Sequence, residues 1–155
     1  MSKTRIAVAG AGYIGLAHMG LAQASPTCTL SAIVDPAPAA EAVAARAGVP
    51  LYKSLEAMLA QERPEGVVLA TPNVLHVPQA EQCIAAGVPI LLEKPIAPTV
   101  AEGERLAAVV ARTGAKVLIG HHRAQPDHGA RQGDHRAGHA GQAGRRDGQR
   151  ALLQA

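Results

Sequence analysis

A short apolar run, three spaced glycines and a helical pattern follow one another near the start of the chain, and together they constrain its fold. Residues 6–9 are apolar enough for a strand buried on both faces, and residues 13–24 have the pattern of a helix. Gly10, Gly12 and Gly15 lie between them as G-x-G-x-x-G. This spacing, placed between a strand and a helix, is typical of dinucleotide-binding sites.

Each glycine of this loop has its own physical reason. Gly10 permits a tight turn, Gly12 lets a pyrophosphate approach the backbone, and Gly15 lets the helix pack closely on the strand. The phosphates would lie over the helix N-terminus, where free N–H groups and the helix dipole favour anions. The alternative is a tight turn that binds no ligand. We predict that the loop contacts a dinucleotide through Gly10, Gly12, Tyr13, Ile14 and Gly15.

Short apolar runs alternate with helical patterns as far as residue 119. This alternation predicts an α/β fold, a Rossmann-type doubly wound parallel sheet over residues 1–120. Ser54 and Thr99 are predicted helix N-caps, and Thr99 forms a capping box with Glu102. The predicted strands are 6–9, 30–34, 49–52, 66–70, 89–92 and 116–119, and the predicted helices are 13–24, 39–47, 55–61, 74–86 and 100–112.

Residues 121–155 differ in composition from the rest of the chain. They hold six arginines and three aspartates, which account for the whole formal charge of +3. Because they show no helical or strand period, they predict a low-complexity, disordered basic tail. The tail histidines fit no established ligand pattern, so no metal site is predicted. Nucleic-acid binding is disfavoured because the tail has no aromatic residue for base stacking.

The change in composition near Arg123 and Ala124 suggests a hypothesis about the origin of the tail. Residues 125–154, back-translated with plausible codons and read one nucleotide out of register, give a peptide with an amphipathic helix, a Pro-Gly break and a β-type run. We hypothesise that a frameshift replaced an ordered continuation. The coding DNA tests this hypothesis, which fails if no out-of-register open frame continues past the stop codon.

Several features bear on the cellular compartment. No apolar run is long enough to span a membrane, and no signal-peptide pattern follows Met1. Cys28 and Cys83 are too few and too far apart for a disulfide or zinc framework, which favours free thiols. We therefore expect a cytoplasmic protein without a membrane partner.

An acidic residue ends the second predicted strand. Asp35 lies 20 residues after Gly15, and a carboxylate at this point accepts hydrogen bonds from ribose hydroxyls and repels a 2′-phosphate. No arginine follows at once, so NAD is favoured over NADP. The alternative is an aspartate that merely ends a strand before Pro36.

A polar corner follows the fourth predicted strand. Thr71, Pro72 and Asn73 form a loop there, and His76 lies in the first turn of the next helix. Thr71 and Asn73 could hydrogen-bond a ribose or an amide of the cofactor. The alternative is that Asn73 caps the helix and His76 lies on the surface.

A charged pair follows the fifth predicted strand directly. Glu93 and Lys94 could form a solvated loop, or Lys94 could orient a substrate hydroxyl beside a nicotinamide. The spacing leaves both explanations open.

Taken together, these residues resemble the N-terminal domain of the Gfo/Idh/MocA oxidoreductases, the family of glucose–fructose oxidoreductase and inositol dehydrogenase. The resemblance covers about residues 3–123. In that family the glycine loop and the acidic residue bind the dinucleotide, and the Thr-Pro-Asn corner lies along it. The predicted cofactor-binding residues therefore also include Thr71, Pro72, Asn73, His76, Glu93 and Lys94. The resemblance further implies that Lys94 touches both substrate and nicotinamide, with Glu93 and Pro95 shaping its loop. The matching motifs are Gly10-Ala-Gly-Tyr-Ile-Gly15, Asp35, Ala70-Thr-Pro-Asn73 with His76, Glu93-Lys-Pro95 and Gly120-His-His-Arg123.

Members of that family carry a second α+β domain that supplies the sugar-binding face and the oligomer surface. No counterpart is found in residues 124–155, so we expect this chain to lack that catalytic domain. The resemblance implies the cofactor domain of a homo-oligomeric, NAD(P)-dependent oxidoreductase of a sugar, cyclitol or related hydroxyl compound. The alternative is a non-catalytic dinucleotide-binding or interaction module that acts through the basic tail.

Overall fold

A six-stranded parallel sheet organises residues 2–120, the part of the chain that this computed structural model describes. The strand order is β3-β2-β1-β4-β5-β6, the order of a doubly wound Rossmann sheet. The predicted fold class is therefore confirmed. The strands are β1 Thr4–Ala9, β2 Cys28–Val34, β3 Leu51–Tyr52, β4 Gly66–Leu69, β5 Ile90–Leu92 and β6 Val117–Ile119.

The proposed tail domain at 121–155, its disorder and its frameshift origin lie outside the described residues. Within residues 2–120, no helix is long and apolar enough to cross a bilayer.

Two of the helices begin at predicted N-caps. The Ser54 hydroxyl accepts a hydrogen bond from the Ala57 N–H, and the Thr99 hydroxyl accepts one from the Glu102 N–H. Both predicted N-caps are thus confirmed. The helices are α1 Tyr13–Ala24, α2 Ala40–Ala47, α3 Leu55–Glu62, α4 His76–Ala85 and α5 Val100–Thr113.

One helix start differs from the prediction. Asn73–Leu75 forms a 3-10 turn before α4, closed by a hydrogen bond from the Leu75 N–H to the Pro72 carbonyl. Asn73 caps neither element, because its Oδ1 atom is buried instead of facing a helix N–H. The alternative in which Asn73 caps the helix is therefore wrong.

Two apolar layers enclose the sheet. The helices α3, α4 and α5 cover one face, where their Met58, Cys83 and Leu106 side chains pack on the strands. The helices α1 and α2 cover part of the other face, through Met19 and Ala44 among others. This division follows from right-handed crossovers, which put helices on opposite faces when the strand order runs in opposite directions from β1. Because all six strands are parallel, their carboxyl ends lie at the same edge of the sheet.

The buried thiol of Cys83 predicts a pH dependence of stability. Burial raises its pKa from 9.0 to about 12, so the folded state holds this proton more tightly than the unfolded state. The stability that it contributes is complete below about pH 9 and is lost as the pH rises toward 12. We expect the free energy of unfolding to fall by up to about 1.4 kcal/mol per pH unit in that range.

Urea unfolding at several pH values between 8 and roughly 10.5 measures this slope, with Cys83→Ala as the comparison. Tyr52 titrates at alkaline pH in both proteins, since its hydrogen bond to Glu62 and its burial raise the pKa of its hydroxyl. The difference between the two proteins therefore isolates Cys83. Equal slopes in the two proteins would refute the prediction.

Candidate functional site

The glycine loop between β1 and α1 has two positions at which the fold itself requires glycine. Gly10 has a φ of +93°, and a Cβ there would lie 2.5 Å from the Ala70 carbonyl oxygen. A Cβ on Gly15 would overlap the Gly10 carbonyl oxygen. At Gly12, by contrast, a Cβ would have no neighbour within 4 Å among the described residues. Packing thus explains two of the glycines and leaves open space beside the third.

The N-terminus of α1 is suited to binding an anion. Gly12 is the N-cap and offers no side chain to the first turn, and that turn contains no acidic residue. The Tyr13 ring is exposed, and Ile14 is half-buried behind it. The backbone N–H groups of this turn are therefore not neutralised by an acidic side chain of the turn itself. A pyrophosphate fits this donor set.

Asp35 ties the glycine loop to the loop that follows β2. Its Oδ2 atom accepts from the Ala11 N–H at 2.8 Å, and its Oδ1 atom accepts from the Ala37 N–H at 2.8 Å. The Gly10 N–H donates to the Val34 carbonyl at 2.8 Å, which fixes the start of the loop. Each carboxylate oxygen has further acceptor capacity, so Asp35 can still accept from a ribose hydroxyl.

A cleft of about 490 Å³ lies at the carboxyl edge of the sheet and brings part of the predicted site together. Gly10, Asp35, Thr71 and Pro72 all line it. Its walls suit the adenosine half of a dinucleotide, because the glycine loop and the acidic strand end meet there. Of the other predicted site residues, none is part of its lining: Gly12, Tyr13, Ile14, Gly15, Asn73, His76, Glu93 and Lys94.

The loop after β4 contains one polar atom that has no partner. The Oδ1 atom of Asn73 is buried and makes no hydrogen bond within residues 2–120. Thr71 by contrast is engaged, since its hydroxyl donates to the Gln79 side chain at 2.6 Å. An orphaned amide oxygen in a candidate cofactor loop fits a ligand that supplies a donor.

His76 is buried and joins two loops of the candidate site. Its Nδ1 atom lies 2.8 Å from the Pro95 carbonyl oxygen, and its Nε2 atom lies 2.9 Å from the Thr71 carbonyl oxygen. Only 2% of the residue is exposed, so the alternative of a surface histidine is wrong. Because both ring nitrogens face protein carbonyls, His76 acts on the site by holding the Thr71 and Pro95 loops together.

The Glu93 carboxylate pairs with His18 of α1, a contact that the sequence analysis did not predict. Its Oε1 atom lies 2.8 Å from Nε2 of His18, and its Oε2 atom accepts from the Lys94 N–H at 3.3 Å. Gly120 packs so closely that a Cβ there would lie 2.6 Å from Oε1. His18 lies one helical turn after Gly15, and this spacing is the signal that could have found it.

Lys94 lies at the carboxyl end of β5 with its side chain exposed. Within residues 2–120, no hydrogen bond or ion pair engages its ammonium group. The Lys94–Pro95 peptide bond is cis. No group of His, Cys, Asp and Glu side chains that could hold a metal ion occurs in the described part of the chain. A catalytic role for Lys94 stays a prediction.

Comparison with known proteins places these features in context. The sequence model of an oxidoreductase family with an NAD-binding Rossmann fold matches residues 4–121. The chain is similar to the rhizopine catabolism protein MocA of Rhizobium meliloti, with 32% identity over 123 residues, 79% of this chain and 39% of that protein. It is also similar to an inositol 2-dehydrogenase of Leifsonia xyli subsp. xyli, with 39% identity over 104 residues, 66% of this chain and 31% of that protein.

A solved structure shares the fold and a third of the aligned residues. It is the WlbA dehydrogenase from Bordetella pertussis in complex with NADH and UDP-GlcNAcA. The identity is 34% and the TM-score 0.71, over 76% of this chain and 35% of that chain. The chain thus spans only about a third to two fifths of the length of the relatives that it matches.

Proposed function

Because the chain belongs to the Gfo/Idh/MocA oxidoreductase family, whose NAD-binding domain matches residues 4–121, we propose a function in hydride transfer. The domain binds NAD for an enzyme that oxidises or reduces a hydroxyl-bearing carbon of a sugar, cyclitol or related small molecule. The observation that carries this proposal is the glycine loop, which Asp35 cross-links and which leaves open space at Gly12. The substrate class rests on similarity to a MocA protein and to an inositol 2-dehydrogenase.

Each group of residues in the candidate cofactor site has its own proposed role. The glycine loop, with Tyr13 and Ile14, holds the pyrophosphate, and Asp35 accepts the ribose hydroxyls. Thr71, Pro72 and Asn73 lie along the dinucleotide, where the unpartnered Asn73 oxygen accepts a donor from it. The bound cofactor supplies a nicotinamide ring that exchanges hydride with the substrate.

The residues at the end of β5 act on the substrate side. Lys94 lies beside the nicotinamide and orients the substrate hydroxyl, while Glu93 fixes the start of its loop through His18 and the Lys94 N–H. His76 holds the same loop from the other side through the Pro95 carbonyl. A homo-oligomeric state is proposed for the intact enzyme from the family resemblance, and a cytoplasmic location is proposed from the sequence features given above. The alternative of an interaction module concerns residues 121–155, which lie outside the described structure.

Titration of the full chain with NADH and with NADPH tests the proposed cofactor. We expect saturable binding of NADH, seen as a change in the fluorescence of the reduced nicotinamide. NADPH should bind at least about tenfold more weakly, because Asp35 places a negative charge where the 2′-phosphate would lie. The absence of saturable binding up to about 1 mM NADH, an affinity of about 4 kcal/mol, would refute the proposal.

Lys94→Met is expected to change the preference between the two redox forms of the cofactor. The nicotinamide ring is positively charged in NAD⁺ and neutral in NADH, so an ammonium group beside it disfavours the oxidised form. Removing one unit charge at about 4 Å in water is worth about 1 kcal/mol, or roughly fivefold in affinity. The ratio of NAD⁺ affinity to NADH affinity should therefore rise by up to that factor.

Lys116→Met is the matched control, because Lys116 precedes β6 at the opposite edge of the sheet. Its ratio should equal that of the unsubstituted chain. If Lys94→Met also leaves the ratio unchanged, Lys94 belongs to a solvated loop and does not lie beside the nicotinamide.

A further inference from the structure

Lys53 directly follows β3, and Asp35 directly follows the neighbouring strand β2. The parallel pairing of β2 with β3 ends at Val34 and Tyr52, and the Asp35 N–H extends it by donating to the Tyr52 carbonyl at 2.9 Å. In a parallel ladder this bond makes Asp35 and Lys53 the next pair, with their backbones about 4.8 Å apart. Lys53 thus lies at the same carboxyl edge as the acidic strand end.

Both residues line the candidate cofactor cleft, together with Pro36. Among the described residues that line this cleft, Lys53 is the one basic residue. Its ammonium group lies 3.1 Å from Oε1 of Glu41, which belongs to α2, and about half of its side chain is exposed. Glu41 itself does not line the cleft. The Lys53 ammonium group therefore lies at the part of the cleft near Asp35, where the ribose is proposed to bind. The Glu41 carboxylate, which lies outside the cleft, pairs with it.

The chemistry of the 2′-phosphate makes this arrangement significant. NADP differs from NAD by one phosphate on the adenosine ribose, which adds negative charge and strong acceptor oxygens. A lysine ammonium is a compact point charge on a flexible stem, and it binds phosphate oxygens in many orientations. Lys53 can reach such a group from its position opposite Asp35. Three features oppose that contact, namely the charges of Asp35 and Glu56, which both line the cleft, and the ion pair with Glu41.

We propose that Lys53 is a specificity-determining residue of the ribose subsite. Asp35 and Glu41 together set the preference for an unphosphorylated ribose, Asp35 by repelling a 2′-phosphate and Glu41 by holding the cation that would bind it. Lys53 donates to the 2′-phosphate once either acid is neutralised. The proposal rests on the proposed function, in which this cleft takes the adenosine half of a dinucleotide.

The test measures the ratio of NADPH affinity to NADH affinity in variants of the full chain, by fluorescence titration. Glu41→Gln should raise the ratio about threefold to tenfold, because it frees the ammonium group. Asp35→Ala should raise the ratio further. The double variant Asp35→Ala/Lys53→Met should have a ratio about tenfold lower than that of Asp35→Ala. Lys53→Met alone should lower the ratio only slightly, because Glu41 already holds the ammonium group in the unsubstituted chain. Lys116→Met, at the opposite edge of the sheet, should leave it unchanged.

The ratio compares two ligands on one protein sample, so a partial loss of folded protein in the Asp35→Ala variant cancels from it. The single variants Glu41→Gln and Lys53→Met retain Asp35 and its hydrogen bonds. They therefore test the role of Lys53 without the Asp35→Ala substitution. If the chain binds NADH and these two variants leave the ratio unchanged, Lys53 has no part in specificity while the proposed function stands. The same conclusion follows if the ratio of NADPH affinity to NADH affinity rises equally in Asp35→Ala and in Asp35→Ala/Lys53→Met. If the unsubstituted chain binds neither cofactor, both proposals fall.

Discussion

Gly15→Ala is expected to destabilise the domain by at least about 3 kcal/mol and to abolish cofactor binding. A Cβ at this position would overlap the carbonyl oxygen of Gly10, and that oxygen belongs to backbone that cannot rotate away. The conflict can be relieved only if α1 moves away from the sheet. Such a movement would loosen the packing of Met19 and Ala22 on the strands and would displace the helix N-terminus from the phosphate position. Urea unfolding followed by circular dichroism measures the loss.

Gly20→Ala is the matched control because it makes the same chemical change in the same helix. A Cβ there would meet nothing within 4 Å in the described structure. Alanine in a helix interior is more favourable than glycine by roughly 0.5–1 kcal/mol, so this variant should be slightly more stable than the unsubstituted chain. If Gly15→Ala unfolds at the same urea concentration as the control, the close approach of α1 to the glycine loop is wrong.

Gly12→Ala is expected to separate binding from folding. Its φ of −74° suits any residue, and a Cβ would touch nothing within residues 2–120, so the free energy of unfolding should change by less than about 1 kcal/mol. The same Cβ would project into the space assigned to the pyrophosphate. We expect the affinity for NADH to fall at least about tenfold, which corresponds to about 1.4 kcal/mol.

ADP-ribose shows which half of the cofactor is affected. It carries the pyrophosphate and the adenosine ribose but lacks the nicotinamide. Its affinity should fall with Gly12→Ala by a factor similar to that for NADH, because both molecules place the pyrophosphate over the start of α1. A loss confined to NADH would place the open space of Gly12 beside the nicotinamide instead.

Much of the fold could be predicted because its signals are local in the chain. The bounds of α1 follow from the apolar pattern that begins after Gly12, and the starts of α3 and α5 follow from Ser54 and Thr99. The alternation of strands and helices predicts a parallel, doubly wound sheet, but it does not by itself select the strand order β3-β2-β1-β4-β5-β6, because other orders obey the same right-handed rule. Short apolar strands separated by capped helices allow few other arrangements.

The contacts around the candidate site could not be predicted because they join residues that are distant in sequence. His18 of α1 and Glu93, which directly follows β5, are 75 positions apart and meet only in the folded chain. The burial of His76 depends on the Pro95 carbonyl, 19 positions away. Periodicity describes which face of an element is apolar, and it carries no information on such pairings.

Asn73 shows a different limit of sequence reasoning. Asparagine favours helix caps, and its position before a helical pattern made a cap the alternative to a contact with the cofactor. The Pro72 carbonyl instead closes a 3-10 turn with the Leu75 N–H, which removes the place where a cap would act. The buried Oδ1 atom of Asn73 is thereby left for another donor.

Calorimetric titration of NADH into the unsubstituted chain and into Gly12→Ala, side by side with Gly20→Ala, tests the central claim most directly. The claim is that the loop from Gly10 to Gly15 holds the pyrophosphate of NAD. It predicts saturable binding to the unsubstituted chain and to Gly20→Ala, and at least about tenfold weaker binding to a fully folded Gly12→Ala. Equal NADH affinity in all three proteins would contradict it, because the pyrophosphate would then lie elsewhere.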